Sequence, residues 1–327
     1  MRRSVATCLA HSLLLTYHMP RPLRMLIPGS TYFVTNRTFQ GRLLMTPSPR
    51  VNGLIGGVIA KALTLYDVAI HDLHFASNHF HMLATPAGHQ LSAFLAYIES
   101  NIAKEVGREI GWHGAFWHRR FSAEPVLDDE ALISRRRYLG AHGVKEGLVD
   151  QSEDWPGLTS LPETTRGEQR TFPWYDRSAQ YWARRRGESD DENRFVTMLP
   201  LTITPLPCDA HLEPSEQQRR ARAVLDEAQR WAWEKRDGRP SLGPEAVMRQ
   251  DPEAKPKRSK WSARPMCHAS SRRVIEEFRR AYREFVAIFA EASEPFRRGD
   301  ISVVFPDYSF RPPLPAGWSA IGPPAPA

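Results

Sequence analysis

Two histidines separated by one residue, His79 and His81, are the sharpest candidates for chemistry in the chain. They lie in the segment HFHMLAT, residues 79–85, whose apolar content is typical of a strand. Because residues i and i+2 of a strand point to the same face, both imidazoles project together, while Phe80 and Met82 face the other side. Two imidazoles at this spacing can chelate a divalent metal. A pair of hydrogen-bonded surface histidines is the alternative, and the pair taken alone favours it.

A tyrosine and a histidine form the second candidate pair. Tyr138 and His142 are at positions i and i+4 of a predicted helix and therefore share one face. A tyrosine beside a metal-ligating histidine could attack a phosphate that the metal polarises. An ordinary half-buried tyrosine on a helix is the alternative, and without other evidence it is preferred.

The elements that must position these residues alternate along the first half of the chain. Strands are predicted at residues 30–36, 67–75 and 79–85, with a short strand or extended segment at 116–127 and a turn at Ala76-Ser77-Asn78. Helices are predicted at residues 51–65 and 91–110 and from Asp128 or Asp129 to about Ala141, with Gly143 as the stop. The order β-α-β-β-α-β-α predicts an α+β fold, in which helices cover one face of an antiparallel sheet.

Taken in order, these segments resemble one protein family. FASNHFHMLATP, residues 75–86, is similar to the histidine-pair strand of HUH single-strand DNA transposases, in particular the REP-associated tyrosine transposases and their insertion-sequence relatives. STYFVTNRTF, residues 30–39, resembles the first strand of that family. FWHRRFSAEPVLDDE, residues 116–130, and RRRYLGAHGVKEGLVDQSEDWPGLTS, residues 135–160, resemble later segments in the same order. The resemblance covers roughly residues 25–160.

The resemblance implies a ferredoxin-like fold and a role for each candidate residue. His79 and His81 would bind a divalent metal, Mg²⁺ or Mn²⁺, and Tyr138 would be the nucleophile. His142 stands where the family has Asn or Gln, and it could complete the metal site. Here the chain departs from the family, because the usual Asn-Pro-Val has become His142-Gly143-Val144. Imidazole suits later transition metals, so the change would move the preference from Mg²⁺ toward Mn²⁺ or a softer ion, unless it marks a loss of activity.

Basic and aromatic residues around the tyrosine are predicted to contact DNA. Arginines bind phosphates, and aromatic rings stack on unpaired bases. The predicted contacts are Arg119, Arg120, Arg135, Arg136, Arg137 and Trp117. For Trp117, packing in the core is an equally strong alternative.

Composition limits the class of protein without identifying it. The chain has 327 residues with 44 basic and 37 acidic side chains, and the net charge of +7 permits a nucleic-acid partner. Its 3 cysteines are far apart and form no CxxC pair, which argues against a disulfide scaffold and fits a reducing compartment, so a cytoplasmic location is predicted. No apolar run reaches the ~18 residues of a membrane-spanning helix, and no membrane partner is predicted.

Three regions are predicted along the chain. Residues 1–24 are an N-terminal extension, in which residues 1–18 faintly resemble a signal peptide, although a translation start at Met19 is preferred. Residues 25–160 form the transposase-like domain. Residues 161–327 form an Arg- and Pro-rich extension, largely helical and partly disordered, with amphipathic helices at 214–235 and 270–296.

The predicted function is that of a single-stranded DNA transposase, or a domesticated relative, that nicks and joins DNA at hairpins through a 5′-phosphotyrosine intermediate. A non-catalytic DNA-binding protein that keeps the fold is the alternative, and the altered His142-Gly143 segment favours it. A metal-dependent hydrolase with water as the nucleophile is a third interpretation. The resemblance also allows a homodimer, because relatives can take the tyrosine helix from a partner subunit.

Overall fold

The computed structural model describes residues 23–256 and 264–313. Most of the predicted N-terminal extension and the last residues of the Arg- and Pro-rich extension lie outside the described residues. Residues Leu26–Arg283 form one compact unit, which contains all the candidate site residues. Among the described residues, no helix is both long enough and apolar enough to cross a membrane.

A four-stranded antiparallel sheet is the centre of this unit. Its strands are β1 (Thr31–Arg37), β2 (Val68–Ala76), β3 (His79–Pro86) and β4 (Ser122–Val126), in the spatial order β2-β3-β1-β4. Two helices connect them, α1 (Pro49–Leu65) between β1 and β2 and α2 (Leu91–Glu109) between β3 and β4. The β-α-β-β-α-β order with an antiparallel sheet confirms the predicted α+β, ferredoxin-like fold class.

The helices α1 and α2 cover one face of the sheet. Val34 of β1 and Phe80 of β3 are buried in a core with apolar side chains of both helices, such as Ile59 and Phe94. The side-chain oxygen of Ser48 accepts the backbone N–H of Val51 and so caps the start of α1. This face of the sheet therefore packs in the hydrophobic core, and the candidate site lies on the opposite face.

The helix α3 (Asp129–Lys145) lies against the other face. Asp128 caps its start by accepting the backbone N–H of Ala131, as predicted. The prediction that Gly143 stops the helix is wrong, because α3 continues to Lys145 and the left-handed residue that follows it is Gly147, at φ 69°. Gly143 lies at a close contact instead, since an added Cβ would lie 3.0 Å from Val149.

The extension is largely helical, as predicted. Its helices are α4 (Leu161–Arg166), α5 (Arg177–Arg185), α6 (Pro214–Arg236), α7 (Pro244–Met248) and α8 (Arg272–Arg297). A two-stranded sheet of β5 (Thr171–Tyr175) and β6 (Val196–Pro200) packs over α1. The predicted amphipathic helices at 214–235 and 270–296 correspond to α6 and α8. The boundaries of the three predicted regions stay a prediction.

Segments outside the ferredoxin-like core pair with both edge strands of its sheet. Beside β2, the backbone N–H of Ser160 donates to Leu73 O and that of Thr204 donates to Ile70 O. Beside β4, the backbone N–H of His268 donates to Pro125 O. An edge strand with unpaired backbone groups invites pairing with another chain, and here these groups are partly occupied by the same chain.

A second unit contains residues 23–25 and 284–313 of the described chain, including the C-terminal part of α8. Within it, the rings of Phe289 and Phe296 lie 5.1 and 5.3 Å from the ring of Phe305. These aromatic contacts are its small core.

Candidate metal and nucleophile site

The strand β3 supplies two of the three imidazoles of the candidate site. Its alternation buries Phe80 and Met82 in the core and turns His79 and His81 to the opposite face. His81 is 7% exposed and its ring stacks on Phe33, with the centroids 5.1 Å apart. Neither ring nitrogen of His81 has a hydrogen-bond partner among the described residues. Since a buried polar group without a partner is costly, this position is suited to a ligand.

The helix α3 brings a third imidazole, that of His142, to the strand pair. Potential ligand nitrogens of His79, His81 and His142 all lie within 4.8 Å of one another. The Nε2 atoms of His79 and His142 are 2.9 Å apart. Two ring nitrogens each ~2.1 Å from one ion, at a right angle, lie about 3 Å apart. The spacing of the His79 and His142 nitrogens therefore fits a single metal ion, and the imidazole of His81 lies beside them.

Asn78 fixes the tautomer of His79. The Nδ1 atom of His79 is 2.6 Å from the side-chain oxygen of Asn78. Because an amide oxygen can only accept, Nδ1 carries the hydrogen and Nε2 keeps its lone pair. Metal-binding histidines commonly have such an outer partner for the nitrogen that does not bind the metal.

All three imidazoles are held in the neutral form. Burial is the main reason that the pKa of His79 lies well below its ordinary value, and the charges of His142, Arg37 and Lys145 act in the same direction. Burial also lowers the pKa of His81 and of His142 well below the ordinary value. Neutral imidazole is the form that binds a metal, so the environment favours ligation.

Tyr138 lies beside the imidazoles on the same helix as His142. Its ring centroid is 5.3 Å from that of His81 and 5.9 Å from that of His142, both in edge-on geometry. Two cationic groups lie over the same ring, Lys145 Nζ at 4.8 Å and the Arg135 guanidinium at 5.5 Å from the centroid. The phenol is thus next to two of the three imidazoles and two positive charges.

The arginines predicted to contact DNA are placed in two different ways. Arg119 and Arg120 are exposed and immediately precede β4. Arg135 and Arg137 are half-buried on α3, and Arg137 is paired with Glu227 of α6 at 2.8 Å. These four arginines retain access to solvent.

Arg136 and Trp117, by contrast, point into the protein. The Arg136 side chain is 10% exposed, and its Nε donates to Asp72 at 2.6 Å. The indole N–H of Trp117 donates to the backbone oxygen of Glu99 at 2.8 Å, and its ring lies edge-on to Phe80. Arg136 is thus buried among internal partners, whereas Trp117 is half-buried with its indole N–H bonded inside the protein. A contact of either side chain with DNA stays a prediction.

A further buried histidine, His74, lies beside the site and is not among the predicted site residues. His74 lies directly opposite His81 in the register of β2 and β3, and its ring centroid is 4.8 Å from that of His142. Burial lowers the pKa of His74 to about 3, and its Nε2 has no partner among the described residues. The two-residue turn Ser77-Asn78 contained the signal, because a hairpin with that turn pairs residue 76 with 79 and residue 74 with 81.

Comparison with known proteins gives structural likenesses only. No protein-family model matches the chain, and no curated protein matches it. A solved REP-associated tyrosine transposase bound to a REP hairpin is 19% identical, with a TM-score of 0.39, over 45% of this chain and 85% of that chain. A provisionally named transposase from Deinococcus radiodurans R1 is 12% identical, with a TM-score of 0.27, over 36% of this chain and 94% of that chain. Both likenesses cover less than half of this chain.

Proposed function

We propose that this protein cleaves and rejoins single-stranded DNA at hairpins, with Tyr138 as the nucleophile and a divalent metal bound by His79, His81 and His142. The observation that carries the proposal is the convergence of three neutral imidazoles beside a tyrosine on the same helix as His142. The sequence resemblance to HUH transposases supports the same assignment of roles.

In this proposal the chemistry is a transfer of one phosphodiester bond. The Tyr138 oxygen forms a bond to phosphorus as the bond to the 3′ oxygen breaks, which gives a 5′-phosphotyrosine and a free 3′-hydroxyl. The phenol loses its proton and the leaving 3′ oxygen gains one. A second 3′-hydroxyl reverses the step and joins the strands, so no external energy source is needed. When bound, the metal would neutralise negative charge on the phosphate.

The residues around the tyrosine have separate tasks in this proposal. Lys145 and Arg135 place positive charge beside the phenol and the incoming phosphate. Arg119, Arg120 and Arg137 are the proposed phosphate contacts along the strand, because they retain access to solvent. Asn78 orients His79 so that its Nε2 lone pair can bind the metal.

The donor set also bears on which metal is bound. Mg²⁺ prefers oxygen ligands and octahedral geometry, whereas imidazole suits later transition ions. With three imidazoles and no carboxylate in the donor cluster, we propose Mn²⁺ as a better activator than Mg²⁺.

The test is a covalent-adduct assay with the full chain. A labelled single-stranded hairpin is incubated with the protein and Mn²⁺ and separated on a denaturing gel. The wild type should give a shifted protein–DNA band, and Tyr138→Phe should give none while still binding the hairpin. An adduct that persists in Tyr138→Phe would exclude this tyrosine as the nucleophile.

The same assay separates the alternative functions. Hairpin binding without cleavage, whatever divalent metal is supplied, would indicate a DNA-binding protein that kept the fold. Cleavage without an adduct would indicate a hydrolase that uses water. The altered His142-Gly143 segment is the feature that favours the first alternative, although His142 lies with the other imidazoles.

A further inference from the structure

The helix α3 carries the candidate chemistry on one face and is held in place by the opposite face. Tyr138, His142 and Lys145 are spaced i, i+4 and i+7 and share a face. Arg136 is two residues before Tyr138, about 200° around the helix, and therefore points away from it. Arg136 and Gly140 lie on the face of α3 that contacts β2 and α6.

Arg136 is the centre of a buried ion-pair network. Its Nε is 2.6 Å from Asp72 of β2, and its Nη1 is 3.5 Å from Asp209, in the turn before α6. Arg220 of α6 pairs with the other oxygen of Asp209 at 3.0 Å, and the hydroxyl of Ser160 donates to Asp72 at 2.7 Å. The Asp72 and Asp209 side chains are each 5% exposed. Asp72, Asp209 and Arg136 are thus buried together, and Arg220, whose side chain is 42% exposed, ends the network at the surface.

The network joins the two parts of the site. Asp72 is opposite Leu83 in the β2–β3 register, and His81 is two residues before Leu83 on β3. A β-bulge between Ile70 and Asp72 brings Asp72 to the sheet face that carries His81. Asp72 therefore belongs to the strand pair that carries the histidines, and Arg136 belongs to the helix that carries Tyr138. Their ion pair connects these two elements.

The extension also contacts α3, through the helix α6. Gly140 packs so closely on α6 that an added Cβ would lie 3.0 Å from Leu225. The Ser152 hydroxyl donates to the backbone oxygen of Gly140 at 2.6 Å, and Gln229 of α6 accepts the backbone N–H of Ser152 at 2.9 Å. Sliding or rotation of α3 would break these contacts together.

We infer that Arg136, held between Asp72 and Asp209, is a positioning residue that sets Tyr138 and His142 at the right distance from His79 and His81. Through Asp209 and α6, the extension becomes part of the active-site framework. The inference rests on the proposed function for its catalytic readout, but its effect on the metal site does not. A buried ion pair often adds little net stability compared with apolar residues. We therefore expect this network to act mainly by fixing the position of α3 against the β2–β3 pair.

The experiment compares Asp209→Asn with Glu105→Gln. Both changes replace a buried carboxylate by its amide beside an arginine, since Glu105 pairs with Arg177 at 2.8 Å on the far side of the sheet. Three quantities are measured for each variant. They are the melting temperature, the affinity for Mn²⁺ from the spin-resonance signal of the free ion, and the single-turnover rate of adduct formation at saturating hairpin.

Asp209→Asn should lower the affinity for Mn²⁺ by about tenfold, the lower end of what misorienting a metal ligand costs, because α3 would no longer hold His142 in place. It should lower the adduct rate by about 100-fold, as a misplacement of about 1 Å can. The affinity for the hairpin should stay within about twofold of the wild-type value, because the proposed phosphate contacts, Arg119, Arg120 and Arg137, are not part of the ion-pair network. Glu105→Gln should lose a similar amount of thermal stability, with Mn²⁺ affinity and rate within about twofold of the wild type.

Equal losses of rate and Mn²⁺ affinity in the two variants would overturn the inference, because the network would then be merely structural. If Asp209→Asn fails to fold, Arg136→Lys keeps the charge and shortens the reach, and the same comparison applies. If the wild type forms no adduct, the proposed function fails. The Mn²⁺ affinities still decide whether Arg136 positions His142.

Discussion

His142 is the residue at which the chain departs from the family it resembles, and the structure gives that departure a consequence. A family amide would offer its oxygen to a metal, whereas the His142 imidazole offers a nitrogen 2.9 Å from that of His79. Its Nδ1 is buried without a partner among the described residues. His142 therefore differs from an amide in its donor chemistry and lies in the cluster with His79 and His81.

The metal preference should follow this one residue. In His142→Asn, an oxygen donor replaces the third imidazole, so activation by Mg²⁺ should rise relative to activation by Mn²⁺. The ratio of adduct rates in the two metals is expected to change by about tenfold, the lower end of what a change in the metal environment costs. The measurement is the adduct rate across a titration of each metal.

His113→Asn is the matched control, because His113 is an exposed histidine on the loop after α2. It should leave the Mn²⁺ to Mg²⁺ ratio unchanged. A ratio that stays constant in His142→Asn as well would show that His142 does not bind the metal.

At the scale of residues, the sequence predicts which side chains come together better than it predicts which side chains are buried. The i, i+2 and i, i+4 spacings identified the three imidazoles and the tyrosine that the structure brings together. The same spacings do not say which side chains are buried. Arg135, Arg136 and Arg137 look equivalent in sequence, but helix rotation directs Arg136 to Asp72, a residue 64 positions away.

At the scale of elements, glycines show where helices and strands approach closely. The three glycines of α1 weaken it as an isolated helix, yet α1 forms over its whole predicted length. Gly56 and Gly57 face β5, and an added Cβ on Gly57 would lie 1.9 Å from the backbone oxygen of Pro173. Gly53 is less constrained, with its nearest neighbour, Pro173 Cγ, at 3.5 Å.

Gly57→Ala and Gly53→Ala should therefore change stability in opposite directions. Gly57→Ala forces β5 away from α1 and should lower the free energy of unfolding by about 1–3 kcal/mol. Gly53→Ala meets ordinary contact distances and gains helix propensity, so it should raise the free energy of unfolding by about 0.5–1 kcal/mol. Urea unfolding at neutral pH measures both changes. A stabilised Gly57→Ala would mean that β5 does not pack on α1.

The sequence predicted elements wherever the signal was local. The cap candidates Asp128 and Asp129 predicted the start of α3, and the structure uses Asp128. The turn predicted at Ala76-Ser77-Asn78 separates β2 from β3, although Ala76 itself belongs to β2. The end of α3 was wrong because a glycine can mark either a stop or a close approach. Only the contact of Gly143 with Val149 and Trp155 distinguishes the two.

At the scale of the whole molecule, the extension is the part that sequence could not interpret. The family resemblance covers none of the extension, and the sequence there predicts only helices that are amphipathic and Arg-rich. Its role depends on contacts distant in sequence, such as Arg136 with Asp209 and Thr204 with Ile70. Propensity and spacing do not predict such contacts, because they arise from packing of completed elements.

Burial of histidines gives the whole molecule a sensitivity to acid. Burial lowers the pKa of six histidines in the compact unit. They are His71, His74, His79, His81, His142 and His268. Their unfolded pKa is ~6.5, so below that pH the unfolded chain binds protons that the folded chain does not. Stability is therefore fully present above pH ~6.5 and is lost as the pH falls.

His268 allows one contribution to be measured separately. Burial lowers its pKa to about 4, with the Arg135 charge acting in the same direction, and its side chain is 12% exposed. Between pH ~6.5 and its folded pKa, this one group should lower the free energy of unfolding by about 1.4 kcal/mol per pH unit. Burial raises the pKa of the nearby Glu124, which acts in the opposite sense but is present in the wild type and the variant alike.

Urea unfolding at pH 7.5, 6.5 and 5.5 with a chelator present should therefore show a shallower fall for His268→Gln than for the wild type. His113 is exposed on the loop after α2, so His113→Gln is the matched control and should follow the wild type. Parallel curves for wild type and His268→Gln would mean that His268 is free to take up a proton in the folded chain. Its place beside Phe33, at 5.3 Å between ring centroids, would then have to be open to water.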